Sequence, residues 1–246
     1  MRHLPANIYL RSPGPSMKVS FVLSIRAGRR VMETRIFVMR HGQTYANAEG
    51  RFAGRTAEPL TPEGEAQAAQ VGKYLAAEDL SAIYVSPLHR TRRTAEILAE
   101  NLRRRPPIYE APGFLEISIP PWEGRTKAEL RADPAMQYEV WSQKPHRFYL
   151  PGCETLAEVY GRAVRALEDL FHQEEGRALL VVTHMVVVRV LLLHYLEKPL
   201  SFYRRVPVPN ALPVCFRRRG LEVALEVPYG EGPEAEEMRR FLKGEA

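Results

Sequence analysis

Three short apolar, β-branched runs, each followed by a helical pattern, constrain this chain more than any other feature. They are Thr34 to Met39, Ala82 to Val85 and Leu179 to Thr183. Compact apolar runs of this length suit strands buried on both faces, as in a parallel sheet covered by helices. After the first run, Thr61, Pro62 and Glu63 read as N-cap, first-turn proline and first-turn acid of a helix over about 62–78. After the second, Ser86-Pro87 reads as the cap of a helix that carries Arg90 in its first turn and keeps helical spacing from Leu88 to Leu102. Thr155 to Gln173 has a strong period near 3.6 and predicts an amphipathic helix ahead of the third run. The apolar stretch 185–196 reads as a helix behind the sheet and not as a membrane span, because His184, Arg189 and His194 interrupt it. Val214 to Arg217 and Leu221 to Val227 predict a closing hairpin. The fold class is α/β, a three-layer α/β/α sandwich with a mostly parallel central sheet.

Charge and cysteine content narrow the partners. The net charge of +6 resides entirely in residues 1–31, which hold six basic residues and no acid, while residues 32–246 balance. The body of the chain is therefore not a polyanion binder, and neither a nucleic acid nor a membrane is an expected partner. Cys153 and Cys215 alone cannot staple a chain of 246 residues, which points to a reducing, cytoplasmic compartment. Residues 1–31 have a transit-like composition without an evident cleavage site, and are read as a basic extension ahead of a natural start at Met32. One domain is expected at 32–228, with a lid in the Pro-, Trp- and Tyr-rich segment 111–151 and a charged, peripheral tail at 229–246.

The three strands deliver chemistry at their carboxyl ends: Arg40 and His41 from the first, Arg90 just after the second, His184 from the third. Ligands of open α/β sheets bind at that edge, so these residues can converge. Arginine forks match phosphate oxygens, and a neutral histidine is nucleophilic near neutral pH. An anion site that accepts a phosphoryl group on His41 follows, with no metal required if the positive side chains neutralise the transferring group.

RHGQT at 40–44, Asn47, PLTPEG at 59–64, SPLHRTRRTAE at 86–96, LE with WEG at 115–124, PGCET at 151–155 and VVTH at 181–184 resemble, in this order, the histidine phosphatase superfamily, in its phosphoglycerate mutase-like branch. The resemblance runs from about 35 to 227. It implies a phosphoglycerate mutase-like fold, a small phosphorylated metabolite as partner, no cofactor, and compatibility with a homodimer. It implies His41 as phosphoryl acceptor, His184 beside it, and Glu116 as proton donor, its carboxyl kept protonated by the nearby phosphate. Arg40, Arg90, Asn47 and, with a smaller part, Thr44 are implied as substrate contacts.

The chain departs from the family pattern at Ala53-Gly54, at Ala57, at Met185-Val186 and at Ser118 to Pro121, which leaves the identity of the ester open. Arg51 and Arg55 read equally well as contacts to a distal substrate charge or as loop arginines, and Trp122 and Trp141 read as packing residues. Only Arg125 to Leu150 separates WEG from PGCET, a span too short for the insertion of cofactor-dependent mutases, which favours hydrolysis. Three alternatives remain at this stage: a mutase-type phosphotransferase, a phosphate-binding module without turnover, and a metal hydrolase, for which no close-spaced ligand pair appears.

Overall fold

The computed structural model describes residues 32–245, so the extension predicted over 1–31 lies outside the described residues. β1 (Glu33–Arg40) leads through a single helical turn, α1 (Tyr45–Ala48), to α2 (Pro62–Tyr74), followed by β2 (Leu80–Val85), α3 (His89–Glu100) and β3 (Ile108–Glu110). Short 3-10 turns with α4 (Lys127–Ala132) and α5 (Tyr138–Gln143) fill the segment before α6 (Leu156–Gln173) and β4 (Ala178–Thr183). α7 (Met185–Tyr195), β5 (Val214–Arg219), β6 (Glu222–Glu226) and α8 (Pro233–Leu242) complete the chain.

The six strands form one sheet in the order β3-β2-β4-β1-β5-β6. The first four strands in that order run parallel, and β5 and β6 add an antiparallel edge. Alternation along each strand divides the core in two. Phe37, Met39, Ile83, Val85, Leu180 and Val182 pack with Val71, Leu75, Ala95 and Leu98 of the α2–α3 layer. Ile36, Val38, Ala82, Leu179 and Val181 pack with the apolar faces of α6 and α7. The helices that follow β1 and β4 thus cover opposite faces, and the crevice between these two strand ends is a topological switch point where α/β folds bind ligands. The three layers and the mostly parallel sheet are those predicted from the runs and their periods.

Four local expectations change. β3 is not evident in the sequence, because three residues after Pro107 carry too little pattern. Helix α2 stops at Tyr74 and tightens into a 3-10 turn over Leu75–Ala77. Ser86 does not cap α3, whose N-cap position is Leu88 with no side-chain cap. The tail predicted as peripheral contains α8, which buries Ala235, Met238 and Phe241 at spacings of three within a charged sequence. Segment 111–151 closes around an aromatic cluster: Trp122 is fully buried, meets Phe52, Tyr138, Trp141 and Phe148, and donates through Nε1 to the Met136 carbonyl at 3.1 Å. No helix among the described residues is long and apolar enough to cross a membrane.

The glycines of the RHG and PEG motifs answer one packing requirement. The loop after β1 crosses the first turn of α2 so closely that a Cβ on Gly42 would stand 2.3 Å from the Gly64 carbonyl oxygen, and one on Gly64 would stand 2.0 Å from that of Gln43. Backbone atoms on both sides leave no flexible side chain to yield. Gly64→Ala is expected to cost about 1–3 kcal/mol as an overpacking substitution. In a chain of this size that lowers Tm by about 3–10 °C. Calorimetry reads the change, and an unaltered Tm would contradict the close approach.

Candidate active site

Strand register assembles the site. Arg40 pairs with Thr183 across β1 and β4, and the His41 amide donates to the Thr183 carbonyl at 2.9 Å, so His41 and His184 leave adjacent strand ends together. Their rings are 5.3 Å apart. On the other side of β4, Val85 pairs with Val182 and the Ser86 amide donates to the Val182 carbonyl, which brings Ser86 alongside His184. The Ser86 hydroxyl and His184 Nε2 are 2.7 Å apart, and this contact is what the serine of the SPLHR motif provides in place of a helix cap.

His41 is 3% exposed, and its Nδ1 lies 2.7 Å from the Gly42 carbonyl oxygen, which can only accept. Nδ1 therefore carries the hydrogen, and the Nε2 lone pair accepts from Arg90 Nε at 3.2 Å. Burial first, then the charges of Arg90 and Arg40, hold the imidazole well below its ordinary range and so neutral. His184 is fully buried and is lowered by the same causes, burial first.

Arg90 is the pivot of the pocket. It is 1% exposed, and its remaining donors reach the carbonyls of Thr56 at 3.1 Å, Ala53 at 3.2 Å and Gly54 at 2.6 Å. Loop 53–56 is held in turn by Glu123 of the WEG motif, whose carboxylate accepts from the Gly54 amide, the Arg55 amide and the Thr56 hydroxyl. The departure at Ala53 costs this arrangement nothing, since Arg90 uses only its carbonyl. Arg40 extends Nη1 toward the Val208 carbonyl at 3.4 Å, and its buried Nε has no partner. Burial pushes its pKa down to about 10, which leaves it charged at neutral pH.

Arg40, His41, Thr44, Asn47, Arg90 and Glu116 all line one cavity of about 420 Å³, and His184, not itself in the lining, stands against His41 edge to face. Thr44 and Asn47 hold each other across the N-terminus of α1, each side chain accepting the other's amide at 3.3 Å. Thr44 is thereby a support for the loop, while Asn47 is fixed further by Asn210, whose Nδ2 donates to Asn47 Oδ1 at 3.2 Å and to the His41 carbonyl at 2.9 Å. Glu116 is 8% exposed, and its Oε1 accepts the Ile117 amide at 2.9 Å. Burial raises its carboxyl pKa against the opposing pull of that bond and of Arg90 and Arg40. Its main chain is clamped by Arg162, which donates to the carbonyls of Gly113, Leu115 and Glu116 while paired with Glu154.

Several of these residues were not legible in the sequence. Glu123, Arg162, Asn210 and Ser86 act on the predicted set through bonds that no local pattern announces, although Glu123, Glu154 and Ser86 do fall inside the WEG, PGCET and SPLHR motifs. Arg51 and Arg55, left open by the sequence, pair with carboxylates: Arg51 with Glu49 and Glu58, Arg55 with Glu154. Trp122 is a packing residue as expected, but Trp141 both packs and lines the cavity. Among the described residues, no three His, Cys, Asp or Glu side chains gather as a metal site would need.

Known proteins share this arrangement of chain. A family model described as the histidine phosphatase superfamily (branch 1) matches residues 36–226. "Phosphoserine phosphatase 1" of Hydrogenobacter thermophilus is 30% identical over 179 residues, 72% of this chain and 83% of its own. "Probable phosphoglycerate mutase GpmB" of Erwinia tasmaniensis is 29% identical, over 71% of this chain and 80% of its own. The solved structure of YhfR from Bacillus stearothermophilus superposes with a TM-score of 0.76 at 31% identity, covering 82% of this chain and 99% of that one. With the model spanning both strand-end histidines and the whole sheet, this chain belongs to the histidine phosphatase superfamily.

Proposed function

We propose that the protein hydrolyses a small phosphomonoester through a phosphohistidine on His41, without a metal. The observation that carries this reading is the state of His41: neutral, with Nδ1 committed to a carbonyl and the Nε2 lone pair free of a proton. Beside it, Arg40 Nε is buried and unpartnered, as is His184 Nδ1, which carries the ring hydrogen when the Ser86 hydroxyl donates to Nε2; a phosphate oxygen accepting from both would relieve this costly condition.

In the first step Nε2 donates its pair to phosphorus while the P–O bond to the leaving alcohol breaks. That oxygen takes the electron pair and the Glu116 proton. In the second step water attacks phosphorus, the N–P bond returns its pair to Nε2, and the Glu116 carboxylate accepts the proton of water. Arg40 and Arg90 offset the charge that spreads over the transferring oxygens. The names of the relatives, phosphoserine phosphatase and probable phosphoglycerate mutase, each carry a small phosphorylated compound, which supports an ester of that class as the substrate. Hydrolysis is favoured over the mutase reading by the short span between Gly124 and Pro151.

Two outcomes test the reading. With EDTA present, the protein is expected to turn over p-nitrophenyl phosphate, and His41→Ala to lose on the order of 10³-fold or more. Turnover that survives in the variant would sink the nucleophile assignment, and inhibition by EDTA would favour the metal-hydrolase alternative. The role of Glu116 is tested by kcat/KM, which reports the steps up to N–P bond formation. The active form is the acid and its pKa is raised, so activity on an alkyl phosphate is full below that pKa and falls as pH rises through it. Glu116→Gln should abolish this alkaline limb and reduce kcat/KM for the alkyl ester by about 10²–10⁴-fold. The loss should be far smaller for p-nitrophenyl phosphate, whose phenolate leaves without a proton. Equal losses on both esters would contradict proton donation by Glu116.

A further inference from the structure

The cavity holds more positive charge than a phosphoryl group uses. Arg40 and Arg90 match a phosphate dianion, yet Arg189, Arg204 and Lys127 line the same cavity. Arg51 also lines it, but its charge is met by Glu49 and Glu58. Neither Arg189, Arg204 nor Lys127 has such a partner among the described residues, and Glu116, raised toward its neutral form, is the single acid lining the cavity among them.

The two arginines are held, though not neutralised. Arg189 leaves α7 half-buried, stacks over the Tyr203 ring at 4.8 Å and donates through Nε to the Val206 carbonyl at 2.9 Å. Arg204 is exposed at the rim, lies over both Trp141 and Tyr203 at 5.7 Å, and donates to the Trp141 carbonyl. Each guanidinium is thus oriented by one carbonyl and aromatic faces, with further N–H donors left over. The Tyr203 hydroxyl between them is fully buried without a well-formed hydrogen bond, and the charges acting on it are those of Arg189, Glu116 and Arg204. A second cavity of about 380 Å³ adjoins the first and shares Arg40, Arg189, Arg204 and Asn210, with Glu234 and Glu237 of α8 also in its lining. Those two acids form no ion pair with either arginine among the described residues.

We infer that Arg189 and Arg204, with Lys127 of α4 in the same cavity lining, form a second anion subsite, so that the substrate is a small phosphomonoester carrying a further anionic group. The inference rests on the phosphatase reading of the same cavity. A carboxylate or a second phosphate supplies the chemistry; both accept from paired guanidinium forks.

Matched substrate pairs test it. D-3-phosphoglycerate and glycerol 3-phosphate differ by the carboxylate alone, and 1,3-propanediol bisphosphate and its monophosphate by the second phosphate alone. The wild-type protein should favour the more anionic member of at least one pair by about 10-fold or more in kcat/KM, the size of one charged hydrogen-bonded contact. Whichever pair shows the preference identifies the group. In Arg189→Met and Arg204→Met the preference should fall toward unity, while kcat/KM for p-nitrophenyl phosphate stays within about threefold. Arg204→Lys, which keeps a point charge, should retain part of it. Titration calorimetry of the same pairs on His41→Ala, which cannot turn them over, reads the preference independently of catalysis. A ratio near unity for both pairs in both assays, or a preference that survives both Met variants, overturns the subsite. If p-nitrophenyl phosphate is not hydrolysed but the binding preference is present, the catalytic reading fails and the subsite stands.

Discussion

The site depends on the parallel pairing of β1 with β4. Arg40 and Thr183 sit side by side at the last rung of that ladder, and the His41 amide continues it by one more bond to the Thr183 carbonyl. Two histidines 143 positions apart in the chain are adjacent because the backbone gives them no other place. Everything that makes His41 reactive follows from where this pairing ends. The ring is buried between the strand ends, its Nδ1 reaches the carbonyl one residue on, and Arg90 meets the nitrogen that remains.

Holding two arginines and two histidines in a buried crevice is costly, since like charges repel and burial disfavours each charged form. The protein manages this by keeping both histidines neutral and by spending most of the Arg90 donors on loop carbonyls. Glu123 and Arg162 form the supporting frame: one fixes the loop that receives Arg90, the other the backbone that presents Glu116. Such frames keep reacting groups within a fraction of an ångström of their working geometry. The strand ends thereby become a rigid cradle, with the unpartnered Arg40 Nε and His184 Nδ1 as its open positions.

The layers and the strand-end residues were legible because they follow from periodicity, which is local. An apolar run that is buried on both faces announces a parallel strand, and a polar residue just beyond it announces the functional edge. The resemblance added Glu116 and Asn47, which no period would single out. What could not be read was contact between distant segments. Asn210 reaches His41 from a loop 169 positions away, and Arg189 and Arg204 enter the cavity from α7 and from the 3-10 segment after it. Ser86 carried the right motif but the wrong role, since a serine before proline has the same local signature whether it caps a helix or faces a histidine. The carboxy-terminal helix was hidden by its own surface, with three apolar residues spaced along a run that is otherwise charged.

The account places the covalent chemistry on one nitrogen, and the linkage formed there is directly observable. Mixing the protein with a radiolabelled phosphomonoester and quenching in alkali before the first turnover is complete should trap phosphoprotein. The bond should be labile to acid and stable to base, as a phosphoramidate is, and mass spectrometry should place it on the peptide that contains His41. Label on another residue, or single-turnover hydrolysis with no labelled protein at any time, would contradict the central claim that His41 carries the phosphoryl group.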